Sequence, residues 1–573
     1  MTRLLLERGE QGGIQTIPPT LQQSLTARLD RLGQAREVAQ IGAVIGRDFS
    51  YPLIRAVTEL EDAVLETALE RLAEADILLV QGLPPETAYR FKHALIRDAA
   101  YENLLKSRRQ VLHRRVAEAL RDNMVGTAAA EPELLAHHFT QAGLIDEAIE
   151  WWDKAGQLAA GRSTMAEAAV HFGKALQLVA GLPRSKRLQT RELALQLGLA
   201  GTLMAAKGWA SPQAGDAYAR ARELCREVPE GPQLVAALSG VVTYLHNSAE
   251  FVTAGRVAEE LLAVAGRQND RDAKLLAHRS CGLNLLFRAD FAGALRHFKE
   301  AVTLYERPGT GSLMSPPVDP RIASQSFIPW SLLVLGYADE AITESQQALA
   351  YARDLSHPYT LAFALHVNCI FHQLRGDGTI LRERADELVE LAIDQGFPHL
   401  RGSGRCFRAW ATIALEGSSE DAINEMREGL AEKRATGAEI KVPYYFGLLA
   451  EAYRRLNQTM EALKLLSDAL EFVERTDERW YEAELYRLRG ETLIKNADRC
   501  GAESAFSGAV ATAKNYGAKL FELRASLSLA DLWRDQGKRD EARDLLAPAY
   551  GWFTEGFDTR DLKDAKALLE ELA

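Results

Sequence analysis

Apolar residues recur three and four positions apart along most of the chain, and the small ones among them keep a longer beat. Ala214, Ala254 and Ala294 stand forty residues apart, and so do Ala422, Ala462, Ala502 and Ala542. A bulky residue usually follows four positions later and a second small one three after that, as in Ala294-Phe298-Ala301, Ala502-Phe506-Ala509 and Ala542-Leu546-Ala549. Between grid alanines lie two apolar stripes. Leu448, Leu449, Ala452, Tyr453 and Leu456 form one; after Asn457-Gln458-Thr459 come Ala462, Leu463, Leu465, Leu466, Ala469 and Leu470. The spacing predicts pairs of amphipathic helices packed antiparallel, with small residues where the two cross and the bulky one in the adjoining groove. Self-similarity at this period is the mark of a solenoid, in which each unit buries its apolar face only against its neighbours.

The small–bulky–small order resembles the second helix of a tetratricopeptide repeat (TPR). The first helix is similar too: Gly282, Ala450 and Gly490 each lie twelve positions before a grid alanine. The expectation is an all-α, superhelical TPR-like solenoid over residues 130–573, with about ten helix pairs and a period near forty. Further units centre on Ala148 or Ala168, which are expected on consecutive helices, and on Ala341 and Ala385. From Glu306 to Pro329 the run of Pro308, Gly309, Gly311, Pro316, Pro317, Pro320 and Pro329 forbids continuous helix, so a loop insertion is expected near 306–329. Asp561–Leu572 reads as a capping helix.

Residues 1–124 lack the forty-residue beat. Pro18-Pro19-Thr20 introduces a helical run at Leu21, Leu25, Leu29 and Leu32, and helices are expected at Arg36–Ile45, Tyr51–Val57 and Leu60–Ala75. Ile77–Val80 and Tyr89–Lys92 flank a Gly/Pro turn and predict a hairpin. Three helices and a hairpin make a small winged-helix-like domain, a common DNA-reading module. Its third helix argues against that use, since Glu61, Asp62, Glu66 and Glu70 outnumber Arg71 and would meet phosphates with the wrong sign. The later basic stretch, Lys106, Arg108, Arg109, Arg114 and Arg115, is interleaved with Val111, Leu112, Val116 and Leu120 and reads as an amphipathic helix with a solvated face.

Composition narrows the classes. With 573 residues, 47% apolar and 26% charged, the chain is ordinary globular protein too long for a single core. Residues 1–124 balance 17 basic against 17 acidic side chains, so the net charge of −11 belongs to the remainder, a poor partner for nucleic acid or anionic membrane. No apolar run suggests a membrane span, and Arg3, Glu7 and Arg8 around a three-leucine run do not make a signal peptide. Cys225, Cys281, Cys369, Cys406 and Cys500 are scattered without a CxxC pair, which predicts reduced core thiols in a cytoplasmic protein. His137 and His138 are adjacent and point about 100° apart on a helix, so they are not expected to share a metal.

Phe91-Lys92-His93-Ala94-Leu95-Ile96-Arg97-Asp98-Ala99-Ala100-Tyr101 resembles the motif closing the winged-helix subdomain of STAND-class (NB-ARC-type) signal-transducing ATPases. There the motif is often Met-His-Asp, and its histidine touches the β-phosphate of ADP; His93 matches it, while Ala94 replaces the common aspartate. Leu4–Gly9, Ala27–Leu32, Gly42–Arg47, Glu133–His138 and the closing Gly551-Trp552-Phe553-Thr554-Glu555-Gly556-Phe557-Asp558-Thr559 are similar to bacterial regulators joining a class III adenylate/guanylate cyclase, a STAND ATPase and a repeat array. The chain itself has no GxxxxGK[ST] loop, HExxH or GxSxG, and Gly309-Thr310-Gly311 has no continuation into a dinucleotide loop. The resemblance therefore implies the back half of a larger regulator, with Met1 inside a helix that follows the ATPase core. It implies no catalytic or metal residues here, a protein partner or small-molecule inducer on the solenoid groove, and His93 sensing ADP or ATP only when an upstream core is supplied. The other readings are a stand-alone TPR adaptor and a winged-helix transcription regulator.

Overall fold

Each helix pair of the array closes through one seam, and the grid alanines sit in it. In a computed structural model, which describes residues 28–82, 87–123, 129–208, 210–225, 232–268, 270–305 and 318–573, Ala214, Ala254, Ala294, Ala462, Ala502 and Ala542 are fully buried. Each lies near the start of the second helix of its pair, and at Ala294 and Ala502 the ring four residues on, Phe298 and Phe506, packs on a glycine of the first helix. A Cβ on Gly282 would come within 2.8 Å of the Phe298 ring, so only glycine admits the aromatic there. Nine such pairs run from Lys186 to Gly551 among the described residues, and Arg560–Leu572 closes the series by burying Leu562, Ala565, Leu568 and Leu572. The fold is essentially all-α and TPR-like.

The turns inside the pairs are built alike. The residue five before the grid alanine takes a left-handed conformation at Ala249, Ala289, Asn457 and Ala497 (φ 59°, 67°, 60° and 60°), which stops the first helix. Asp290 and Asp498 then start the second, each side chain accepting the N–H of the third residue on, at 2.8 Å. Ala148 and Ala168 lie on consecutive helices, Ile145–Gly161 and Met165–Ala180. The expected insertion near 306–329 is corrected in its second half: Ile322–Gln325 and Ile328–Leu335 are helical and buried, and Pro329 takes the first turn of the second of these, where no N–H is needed. Residues 306–317, with Gly309–Gly311, lie outside the described residues, as do the helix start at Pro18–Thr20 and the matches at Leu4–Gly9.

The backbone divides into two units, one comprising residues up to Gly156 with Gly173–Leu182, the other Gln157–Phe172 with Pro183–Ala573. The first unit begins with α1 (Gln34–Ile45), β1 (Asp48–Ser50), α2 (Tyr51–Val57), α3 (Asp62–Glu74), β2 (Leu78–Gln81) and β3 (Ala88–Phe91). The three expected helices and the hairpin are present. β1 was not expected; it pairs antiparallel with β3, giving the order β1-β3-β2. Val38, Ile54, Leu65, Leu72, Ile77 and Phe91 are the centre of its core. α4 (Ala94–Glu102) and α5 (Lys106–Asn123) follow, and Pro132–Ala142 packs on α5.

Candidate functional site

Within the second unit the array winds far enough for turns distant in sequence to meet. The amides of Glu439 and Ile440 donate to the Asn247 carbonyl at 2.8 and 3.2 Å, and those of Arg479 and Trp480 to the Phe287 carbonyl at 2.8 and 3.2 Å. A Cβ on Gly437 would lie 2.5 Å from the Ala210 carbonyl oxygen, so the turns touch backbone to backbone. Farther along, Glu555 Oε1 accepts the amide of Asp339 at 2.9 Å. First helices of successive pairs line the interior. Repeat spacing carries an ion-pair ladder there, Arg454–Glu491 at 2.8 Å, Arg524–Glu484 at 3.5 Å and Arg524–Asp561 at 2.8 Å.

The closure buries charge. Lys433, Lys441 and Glu478 are 0%, 5% and 1% exposed. Glu478 accepts the Lys441 amide on both oxygens, at 2.9 and 3.0 Å, and the Trp480 indole N–H at 3.0 Å. Lys433 Nζ donates to the Ile440 carbonyl at 2.7 Å and lies 5.5 Å from the centre of the Tyr445 ring; Lys441 Nζ lies 5.6 Å from that of Phe287. Rings continue the lining, with Trp330 and Trp480 at 4.4 Å and Tyr444 5.2 Å from Trp480. Burial pushes the Lys433 ammonium down to about 7, aided by neighbouring Lys441. Burial likewise pushes Lys441 down and Glu478 up, against the attraction between them.

Several polar atoms of this interior have no hydrogen-bond partner among the described residues: Trp330 Nε1, both ring nitrogens of His366, and Asn247 Oδ1. Such groups cost about 1–3 kcal/mol each when buried. Lys441, Lys433 and His399 all bear on His366, and burial holds its imidazole well below the ordinary range. None of these residues was singled out from sequence. The available signal was faint, an aromatic doublet after the turn (Tyr444-Tyr445, Trp480-Tyr481) at nearly the repeat spacing.

His93 lies in the first unit. It ends the extended stretch after β3 and stands at the N-cap of α4, with φ −131° and an exposed side chain that makes no capping bond. Asp76, close by, is held below the usual carboxylate range by its hydrogen bond to Lys92, at 2.5 Å. A cleft of about 410 Å³ elsewhere in this unit is lined by Arg36, Glu37, Gln40, Arg108 and Leu112 among others, without His93. Glu61, which precedes α3, and Asp62, Glu66 and Glu70 on it are all exposed. Two arginines of α5 are paired with acids, Arg108 with Glu37 at 2.8 Å and Arg115 with Glu59 at 2.5 Å. Val111, expected on the buried stripe of that helix, is 43% exposed.

His113 Nδ1 and His138 Nδ1 are 2.8 Å apart and Tyr101 Oη lies 2.9 Å from His113 Nε2, a buried chain that pairing adjacent residues would not have suggested. Cys281, Cys369 and Cys406 are buried thiols; Cys500, expected in the core, is exposed. Among the described residues no helix is long and apolar enough to cross a membrane.

No protein-family profile matches the chain. An uncharacterized protein of Rhizobium meliloti (strain 1021) is 26% identical over 519 residues, covering 89% of this chain and 50% of that protein. The chain thus spans half the length of the curated relative it matches. Among solved structures, a Rap protein complexed with competence and sporulation factor superposes with a TM-score of 0.48 at 11% identity, over 65% of this chain and 99% of that one. A STAND protein with a tetratricopeptide repeat sensor from Pyrococcus horikoshii gives 0.28 at 12% identity, over 94% and 64% of the two chains. At these scores the likeness adds nothing to what the helix pairs show by themselves, a superhelical repeat scaffold.

Proposed function

We propose that this chain is a regulatory region whose solenoid binds a protein partner or small-molecule inducer and thereby controls a STAND ATPase or adenylate cyclase unit that the chain does not contain. The observation that carries this reading is the interior of the wound array, where apolar rings and charged side chains of distant repeats converge on one place. Solenoids present such inner surfaces to ligands, and a coil of weakly coupled units changes pitch readily. The first unit adds support. Its helices and three-stranded sheet suit a winged-helix subdomain, and His93 is exposed at the start of α4, where an imidazole N–H and the positive end of the helix favour a phosphate. The DNA-reading alternative is disfavoured by the exposed acids of α3 and the paired arginines of α5.

The test is ADP binding, by fluorescent-nucleotide anisotropy, to this chain mixed with a separately expressed STAND ATPase core. Binding that needs both parts and weakens at least tenfold with His93→Ala is expected. ADP affinity indifferent to His93 would remove the sensor role.

A further inference from the structure

The interior closure is built for a ligand of one chemical kind. Two buried lysines, Lys433 and Lys441, share the charge of a single buried carboxylate, Glu478, in a place lined by Phe287, Trp330, Tyr444 and Trp480. Two of the unmet groups are donors. An indole Nε1 only donates and a neutral imidazole carries one N–H, so Trp330 and His366 both lack an acceptor. Two amines against one carboxylate, unpaired donors and ring faces together ask for an anionic oxygen, which would hold both amines protonated, on a flat apolar body. The unpaired Asn247 Oδ1 would take an N–H or O–H of the same molecule.

We propose that the turns at Asn247, Phe287, Ile440 and Trp480 close over a binding site for a small aromatic carboxylate, and that the ligand enters by parting them. Resting on the proposed function, this names the inducer class and the element it moves. The carboxylate sits between Lys441 and Lys433 and accepts from Trp330 and His366, while the ring lies against Trp480. The closed state hides these groups from water, and four amide hydrogen bonds, those of Glu439, Ile440, Arg479 and Trp480, hold the turns together. Opening trades those bonds for the ligand's. The coil thus has two arrangements that a ligand can shift.

The test titrates the intact chain by calorimetry with indole-3-acetate, phenylpyruvate and benzoate, and with indole-3-acetamide as the uncharged control. Hydrogen exchange follows the four turn amides. The expected result is saturable binding of at least one acid, at least tenfold weaker binding of the amide, and faster exchange at residues 439–440 and 479–480 in the complex. Lys441→Met should weaken the acid at least tenfold. Trp330→Phe, which keeps the ring and removes the donor, should weaken it several-fold, so a misfolded lysine variant does not decide the matter. Failure of all three acids to bind, equal affinity for acid and amide, or turn amides that stay protected in the complex would each overturn the proposal. ADP binding that depends on His93 with the supplied core is read separately, so failure here leaves the proposed function standing on its own test.

Discussion

The array is held together by two kinds of joint, and they differ in almost everything. The seams around the grid alanines are local, apolar and repeated: Phe298 fits Gly282 one helix away, and Phe506 fits Gly490 in the same manner in a later pair. The closures between turns are distant in sequence, polar and each made once, as where Asn247 meets Ile440 or Phe287 meets Trp480. A seam gains from burying area and loses little by repetition. A closure gains from a few hydrogen bonds and carries the burden of dehydrated charge, which breaks even at best. The first kind of joint therefore fixes the fold, and the second is suited to opening.

Breaking a seam should have the largest effect. Phe298→Ala empties a fully buried ring position and is expected to lower stability by about 3–5 kcal/mol in chemical denaturation. Loss of amide protection should spread to the adjoining pairs, because each leans on its neighbours. A loss confined to the turns would invert the comparison.

Acid should act next, and on the closure side. His246 is wrapped by Phe251 and Phe287, and burial pushes its imidazole down to about 4. The unfolded chain takes its proton near pH 6.5 and the folded one only near 4. The stability tied to this group is therefore complete above about pH 6.5 and is lost as pH falls toward 4, at about 1.4 kcal/mol per pH unit and about 3 kcal/mol in all. His246→Gln should flatten the wild-type slope of denaturation midpoint against pH by that share. An unchanged slope would mean that the imidazole is hydrated.

Glu478→Gln targets the closure alone. One amide oxygen can still accept from the Lys441 amide or Trp480, but the ammonium loses its counter-charge. A loss of about 2 kcal/mol is expected, with faster exchange at residues 439–440 and 479–480 and unchanged protection around Ala462 and Ala502. Equal loosening of the seams would show that the two joints are one cooperative unit.

How much of this was legible in the residues follows the same division. The seams announce themselves, because the small residue, the ring and the facing glycine recur at fixed spacing, and the helix pairs follow from them. The closures do not: nothing in the string around Glu439 marks Asn247 as its partner, since that contact depends on the summed rotation of several pairs. Lys433 and Lys441 look like ordinary surface residues until the winding buries them. Pro329 misled because a proline that ends one helix also suits the first turn of the next. β1 was missed because three residues, Asp48–Ser50, carry too short an alternation to register, and only β3 makes them a strand. His93 was marked by the string around it, and the structure sets it in the open at a helix start.

The smallest effect tests whether the seams are optimised or merely sufficient. Ala497 holds φ 60° five residues before Ala502, while the next turn has Gly537 at the equivalent place with φ 82°. An L-residue with a Cβ is strained there by about 1–2 kcal/mol, and glycine gives back roughly half of that relief through its looser unfolded state. Ala497→Gly is expected to stabilise by about 0.5–1 kcal/mol, and Gly537→Ala to cost about as much. Opposite signs of similar size would show that the turns tolerate strain wherever the neighbouring seam is strong. A loss from Ala497→Gly would mean that the alanine methyl group packs against the first helix and belongs to the seam itself.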